Sequence, residues 1–218
     1  MDSLTPALWA NGKDTDRYPS SALSYTFEVC EMEGSDSRKN CRKGTRSTKQ
    51  QWTVPAGWLS WGKTYAWYAY VYDGSATSSQ PHASVFTTSV PQPAVTSHLG
   101  GADGTSEIGA RSGNYVTAAT DAAMPTVGPE LSVTRTYNSL DPRRTNAFGV
   151  GWSTRWDMRL VQETVGNTVM VTRADGSQVR FGRNPDGTLA GPSGSTTDLV
   201  ADSTGAVGDG GQQSRAVE

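Results

Sequence analysis

Apolar and polar residues alternate through the first half of this chain, the period of a strand with one buried face. In Ser24-Tyr25-Thr26-Phe27-Glu28-Val29 the alternation puts Tyr25, Phe27 and Val29 on one side. Gln51-Trp52-Thr53-Val54-Pro55 predicts a short strand stopped by its proline, which has no N–H to give a ladder. Tyr65-Ala66-Trp67-Tyr68-Ala69-Tyr70-Val71-Tyr72 predicts the strongest strand, ended by the turn pair Asp73-Gly74. Ser84-Val85-Phe86-Thr87-Thr88 closes the set, and no segment of this half carries helical spacing between capping residues.

From Val90 the alternation fades. Pro91 and Pro93 favour an extended spacer, and His98-Leu99-Gly100-Gly101-Ala102-Asp103-Gly104 reads as loop. Strands return after Gly113, with clean alternation over Leu131-Ser132-Val133-Thr134-Arg135-Thr136-Tyr137. Trp152, Thr154, Trp156, Met158 and Leu160 are expected to share one strand face. Val169–Arg173 and Gln178–Phe181 flank Asp175-Gly176, a favoured hairpin pair, and Asp186-Gly187 follows at the spacing of a meander. The pattern predicts an all-β chain in four parts: a β-sandwich over 1–89, a Pro/Gly-rich linker over 90–112, an antiparallel β-meander over 113–190, and a flexible Gly/Ser/Thr-rich tail over 191–218.

Composition sharpens this in two ways. Only 35% of the 218 residues are hydrophobic, so the 7 Trp and 8 Tyr must supply much of the core area. A formal net charge of -2 gives no general attraction to nucleic acid or anionic membrane. No apolar run approaches the roughly 18 residues of a membrane-spanning helix, so membrane insertion is not expected. The opening residues have neither the basic start nor the apolar stretch of a signal peptide, which says little for an excised segment, and the chain reads as one because it opens directly into strand-like sequence and ends in a Gly/Gln/Ser tail.

Candidate chemistry is sparse. Cys30 ends an apolar strand, and Cys41 sits in a polar, basic stretch where a free thiol would be open to oxidation. A disulfide between them is expected, which favours an oxidising, extracytoplasmic compartment. Arg38, Lys39, Arg42, Lys43, Arg46 and Lys49 form a basic run with no aromatic between Cys30 and Trp52. Nucleic-acid readers interleave rings with such a run, so a solvated loop neutralised by Glu28, Glu31, Glu33 and Asp36 is expected instead, with anionic wall polymer as the remaining candidate partner. Tyr68, Tyr70 and Tyr72 share the face opposite Tyr65 and Trp67 and are candidate glycan contacts, although cross-strand pairing is the simpler account. Asn11, Asp14 and Asp16 offer too few oxygens for calcium and read as an Asx-rich turn. His82 and His98 fall in a turn and the linker, and no metalloprotease, phosphate-loop or nucleophile-elbow motif occurs. The chain is therefore expected to be no enzyme and to need no cofactor.

Two segments carry a resemblance. Leu59-Ser60-Trp61-Gly62-Lys63-Thr64-Tyr65 resembles the fibronectin type III pattern, with Leu59, Gly62 and Tyr65 at its spacings. The resemblance covers about residues 4–89. It implies an Ig-like sandwich in which Tyr65 makes a corner, its ring in the core and its hydroxyl on a nearby backbone group. The second runs from about 113 to 190. Gly113-Asn114-Tyr115, Thr120-Asp121, Arg135-Thr136-Tyr137-Asn138-Ser139 and Gly149-Val150-Gly151-Trp152 resemble the segment that introduces the repeats of bacterial Rhs/YD-repeat proteins. Gly149 and Gly151 are expected to permit the tight approach that seats Trp152. The resemblance implies a non-catalytic piece of a secreted or cell-surface protein. Its β-meander would open an Rhs-type shell around a downstream effector, the partners being the downstream repeats and effector of the same polypeptide. A carbohydrate-binding or adhesin module, contacting cell-wall glycan through the tyrosine face, is the alternative.

Overall fold

The computed structural model describes residues 1–14, 22–35, 37–78, 83–93, 95, 108, 113–128, 131–141, 143, 147–164, 166–173, 176–193, 199–201 and 207–209. The chain is all-β, with several antiparallel sheets and no α-helix among the described residues. It divides into two units: Met1–Val90 with Asn184–Ser193, and Pro91–Arg183 with Gly194–Glu218.

The first unit is built from β1 (Ala7–Trp9), β2 (Ser24–Glu33), β3 (Ser37–Lys43), β4 (Gln51–Thr53), β5 (Thr64–Tyr72) and β6 (Ser84–Thr87). β1 pairs with β4, and a four-stranded sheet runs in the order β3-β2-β5-β6. The chain thus passes from the small sheet to the large one, back at β4, and over again. Alternating residues of β2 and β5 turn inward, and Tyr25, Phe27, Val29 and Tyr65 are buried with Leu8, Val54 and Leu59. Phe27 stacks on Trp52 at 5.8 Å and meets Trp67 at 6.0 Å, while Trp58 stands edge-on to Trp52 at 5.5 Å. These rings fill the space that a chain poor in aliphatics leaves open.

Three expectations need correction here. The basic run is not a loop, because Ser37–Lys43 forms strand β3 along β2. Its ladder is supported by charge rather than apolar alternation: Glu28 faces Lys43 and Glu31 faces Lys39. Second, Asn184–Ser193, which the pattern assigns to the meander and the tail, is grouped with the first unit, whose main stretch ends at Val90. There Asn184 opens a turn closed by the Gly187 N–H on its carbonyl at 2.9 Å, with Gly187 at φ +87°. Third, the start of the linker is not a free spacer. Arg180 donates from its backbone to Gln92 Oε1 at 3.0 Å and from its guanidinium to the Pro91 carbonyl at 2.9 Å. Prolines lack an N–H but keep a carbonyl, so this stretch can still be held as an acceptor. Residues 96–107 and 109–112 of that linker lie outside the described residues, as do His82, His98, Asp16, Asp36 and Asp175.

The second unit contains β7 (Val116–Met124), β8 (Leu131–Asn138), β9 (Trp152–Thr154), β10 (Arg159–Glu163), β11 (Thr168–Thr172) and β12 (Gln178–Arg183). β13 (Leu189–Ala190) follows, within the stretch that belongs to the first unit. The chain then forms β14 (Leu199–Ala201) and β15 (Val207–Asp209), an antiparallel pair where only a flexible tail is expected. One sheet is ordered β7-β8-β9, and β10-β11-β12 forms another with β10 at its edge. The face expected to run from Trp152 to Leu160 is interrupted, because Arg155–Asp157 makes a 3-10 turn. Asp157 causes the break by taking the Thr154 N–H at 2.7 Å and the Thr154 hydroxyl at 3.0 Å. Trp156 and Met158 are left exposed as a result.

Candidate functional site

Tyr65 lies at the start of β5, buried, and its hydroxyl accepts the Ser60 N–H at 2.8 Å. Leu59 is buried beside it, and Gly62 takes φ +74°, a left-handed turn that a side chain would resist. The turn is closed by Thr88, whose hydroxyl donates to the Ser60 carbonyl at 2.6 Å and whose carbonyl accepts the Gly62 N–H at 3.0 Å. Burial pushes the Tyr65 hydroxyl pKa up, so the ring stays a neutral acceptor at ordinary pH.

The opposite face of β5 carries Tyr68, Tyr70 and Tyr72. None presents a bare ring. Arg38 lies over Tyr68 at 5.0 Å, Lys43 over Tyr70 at 5.0 Å and Arg46 over Tyr72 at 4.0 Å. The Tyr70 hydroxyl donates to Glu28 at 2.7 Å, and that bond pushes its pKa up to about 12. The Tyr72 hydroxyl donates to the Gly74 carbonyl at 2.6 Å. The basic run and the tyrosines, read separately in sequence, are therefore one surface, contributed by β3 and β5 on either side of β2 and by the stretch after β3.

A disulfide joins Cys30 and Cys41 within this face. The β2–β3 register shifts between Val29 and Glu31, and Asn40 takes φ +53° on the other arm, a conformation asparagine tolerates better than most. Cys30 is buried, whereas Cys41 is exposed. Among the described residues, Glu28, Cys30 and Cys41 are the one grouping with metal-type ligands, and the bridge uses both sulfurs.

On the core side of β3 a cleft of about 360 Å³ is lined by Glu31, Asn40, Arg42, Trp58, Tyr65 and Asp186 among others. Its charges are internally engaged. Burial works to raise the Glu31 carboxyl, but the Asn40 hydrogen bond and the Lys63 and Lys39 ammonium groups together hold it below the ordinary carboxylate range. Arg42 lies over Trp58 at 5.7 Å and donates to the Gly57 carbonyl at 3.2 Å. Nothing in this lining pairs a nucleophile with a base.

In the second unit the residues of the Arg-x-Tyr-Asn-Ser and Gly-x-Gly-Trp motifs come together. Arg135 lies over Trp152 at 4.5 Å and forms an ion pair with Asp121 at 3.0 Å. Tyr137 meets Trp152 at 5.3 Å and Tyr115 at 6.2 Å. Asn138 donates from its backbone to the Gly151 carbonyl at 2.7 Å. Gly149 and Gly151 have φ of +96° and +80°. Trp152 is half-buried, packed on Tyr137 and Arg135 rather than enclosed in an apolar core.

Sequence reasoning missed the polar centre behind this motif. Asn114 is buried and donates to Asn138 Oδ1 at 2.8 Å, while its own oxygen accepts the Leu140 N–H at 3.2 Å. Asp141 is buried in an ion pair with Arg143, whose Nε lies 2.8 Å from Oδ1 and whose Nη2 is closer still to Oδ2. Gly176 leaves room for Ser153 and Asn138, since a Cβ there would meet Ser153 Oγ. Asn114 stands inside the resembling segment, but polar residues give no periodic signal of burial. Such a network instead specifies a single arrangement, because each unpaired member is costly.

Residues 106–181 match a family described as a domain of unknown function, DUF6531. The match takes in Asn114, Arg135, Tyr137, Asn138, Gly149, Gly151 and Trp152 and ends in β12 at Phe181. No curated protein and no solved structure matches the chain.

Proposed function

We propose that this chain is a non-catalytic structural segment of a secreted or cell-surface Rhs/YD-repeat protein, opening the β-shell that encloses a downstream effector. The observation that carries the reading is the edge of the second unit. β10 ends its sheet, and its consecutive residues Leu160 and Val161, which point to opposite faces, are both exposed at 40% and 44%. An open edge strand invites pairing with foreign strands, and β10 exposes its two apolar residues there between Arg159 and Gln162. A shell continued by further repeats covers it. The motif residues around Asn138 support the same reading through the resemblance they carry, although they hold the β7-β8-β9 sheet and not the one that β10 ends. The disulfide favours an oxidising compartment, and no helix among the described residues is long and apolar enough to cross a membrane.

The test compares this chain with one extended by the natural downstream sequence of its polypeptide, using amide exchange at Arg159–Glu163. Slower exchange at β10 in the longer chain is the expected result. Equal exchange in both would remove the reading's main support.

Binding of neutral glycan through Tyr68, Tyr70 and Tyr72 is the weaker reading. Sugar stacking needs a free ring face, and a cation lies over each of these rings.

A further inference from the structure

We propose that the outer face of β3 and β5 is a docking surface for a linear polyol-phosphodiester polymer, held by Arg38 and Arg46 at the two ends of the tyrosine ladder. The sequence argues against nucleic-acid binding, because no aromatic interrupts the basic run and acidic residues lie just before it, and leaves an anionic wall polymer as the remaining candidate. The fold supplies the missing aromatics from another strand. Alternate residues of a strand stand roughly 6.7 Å apart on one face, so the three tyrosines set three cations in a row at about that interval.

Charge bookkeeping shows which cations are available. Glu33 takes Lys39 at 3.2 Å, Glu31 takes Lys63 at 3.5 Å, and Glu28 takes Lys43 at 3.8 Å together with the Tyr70 hydroxyl. Among the described residues no carboxylate lies within ion-pair distance of Arg38 or Arg46. Both guanidinium groups are positioned by ring stacking, which leaves their N–H edges for a ligand and reduces the ordering cost of binding. The pairs at Tyr68 and Tyr72 are thus cationic ends, with a nearly neutral Lys43–Glu28 pair between them.

That arrangement selects a particular anion. Two stacked, preoriented guanidinium groups, over Tyr68 and Tyr72 four residues apart on β5, fit oxyanions that recur along a chain and can be gripped bidentately. A phosphodiester-linked polyol carries its charge in the backbone at every repeat. Neutral glycans offer no anion, and the ring faces they would need are covered. The disulfide Cys30–Cys41 and the bulge beside it fix β3 against β2, so the row is anchored to the sheet. All of these groups belong to the first unit, so the proposal is independent of the shell-opening reading and can fail without it.

The experiment titrates the full chain with a purified poly(glycerol phosphate) at low and physiological salt, against polygalacturonate, single-stranded DNA and a neutral glucan. Binding to poly(glycerol phosphate) that weakens about tenfold or more in the double variant R38Q/R46Q is expected, since two charge-assisted contacts are lost. The substitution K49Q, a basic residue outside the row, should change affinity little, and a thermal melt of R38Q/R46Q matching the parent separates lost contacts from lost fold. No binding of the phosphate polymer overturns the proposal. So does equal or tighter binding of polygalacturonate, DNA or glucan, and so does binding that R38Q/R46Q leaves intact.

Discussion

The backbone N–H of Trp61 donates to the side-chain oxygen of Asn184 at 2.7 Å, joining residues 123 apart in sequence within one unit. Trp61 is buried, so without that oxygen its N–H would face a dry environment unpaired. Asn184→Ala should therefore destabilise the first unit by about 1–2 kcal/mol. Urea denaturation followed at the tryptophans measures it, with Asn184→Asp, which keeps an acceptor, expected to lose less. Equal midpoints for Asn184→Ala and the parent would show that the contact contributes nothing.

Tyr65 holds the other side of the same turn. Tyr65→Phe keeps the ring in the core but leaves the Ser60 N–H, now at 2.8 Å from the hydroxyl, without its acceptor. A loss of about 1 kcal/mol is expected. An unshifted melting curve would mean that the ring, and not the hydroxyl, sets the corner.

The bridge between Cys30 and Cys41 closes a separation of 11 residues. Tying a loop of that size should stabilise the first unit by roughly 2–3 kcal/mol, mostly by restricting the unfolded chain. Cys30→Ser/Cys41→Ser is expected to melt earlier by that amount, and oxidised, denatured parent protein should show no reactive thiol. Two thiols per chain would refute the pairing.

How legible this was in the sequence depends on what kind of signal each element sends. β2 and β5 were readable because Tyr25, Phe27, Val29, Tyr65 and Trp67 alternate with residues that face the other way. β3 was not, since its stability comes from Glu28 and Glu31 across the ladder, and charges on opposite strands leave no periodic trace. The tyrosine ladder is visible as a face, but its covering by Arg38, Lys43 and Arg46 requires knowing that β3 and β5 flank β2 in one sheet. Asn184 joining the first unit is a long-range event that local pattern cannot announce. Arg155–Asp157 looked like strand because Trp156 and Met158 keep the alternation, and one side chain, Asp157, turns the backbone instead. The motif residues near Asn138, Asn114 among them, are found through resemblance, while the burial of Asn114 and the Asp141–Arg143 pair are not, because buried polarity reads as surface.

Gly149 and Gly151 separate two reasons for a glycine. A Cβ on Gly149 would meet nothing within 4 Å, so only its φ of +96° resists substitution. On Gly151 the same atom would lie 2.6 Å from Tyr137 Cε2 and 2.9 Å from the Asn138 carbonyl oxygen. That carbonyl is part of the sheet and has no rotamer by which to move. Gly149→Ala should cost about 1–2 kcal/mol for its left-handed backbone, and Gly151→Ala clearly more, about 3 kcal/mol. Denaturant midpoints of the two variants decide it, and equal losses would contradict the crowding assigned to Gly151.

Glu163 gives the second unit a pH dependence whose sign can be worked out. Its carboxylate accepts the Thr168 hydroxyl at 2.6 Å and the Arg180 Nε at 2.9 Å. The Thr168 bond is the larger cause, and with Arg180 it holds the carboxyl below the ordinary value of 4.5 against the opposing effect of burial. A group whose pKa is lower folded than unfolded stabilises the protein fully above the unfolded value. That stabilisation fades as pH falls below about 4.5 and is gone once pH passes the folded value. The side chain is 32% exposed, so solvent screening keeps the contribution small, under about 1 kcal/mol. Because other carboxylates titrate in the same range, the useful quantity is the difference in stability between parent and Glu163→Gln as a function of pH. The parent should lead near neutrality and the gap should close on acidification below about 4.5. A gap that stays constant from pH 7 to pH 3 would show that Glu163 is held by packing and not by its charge.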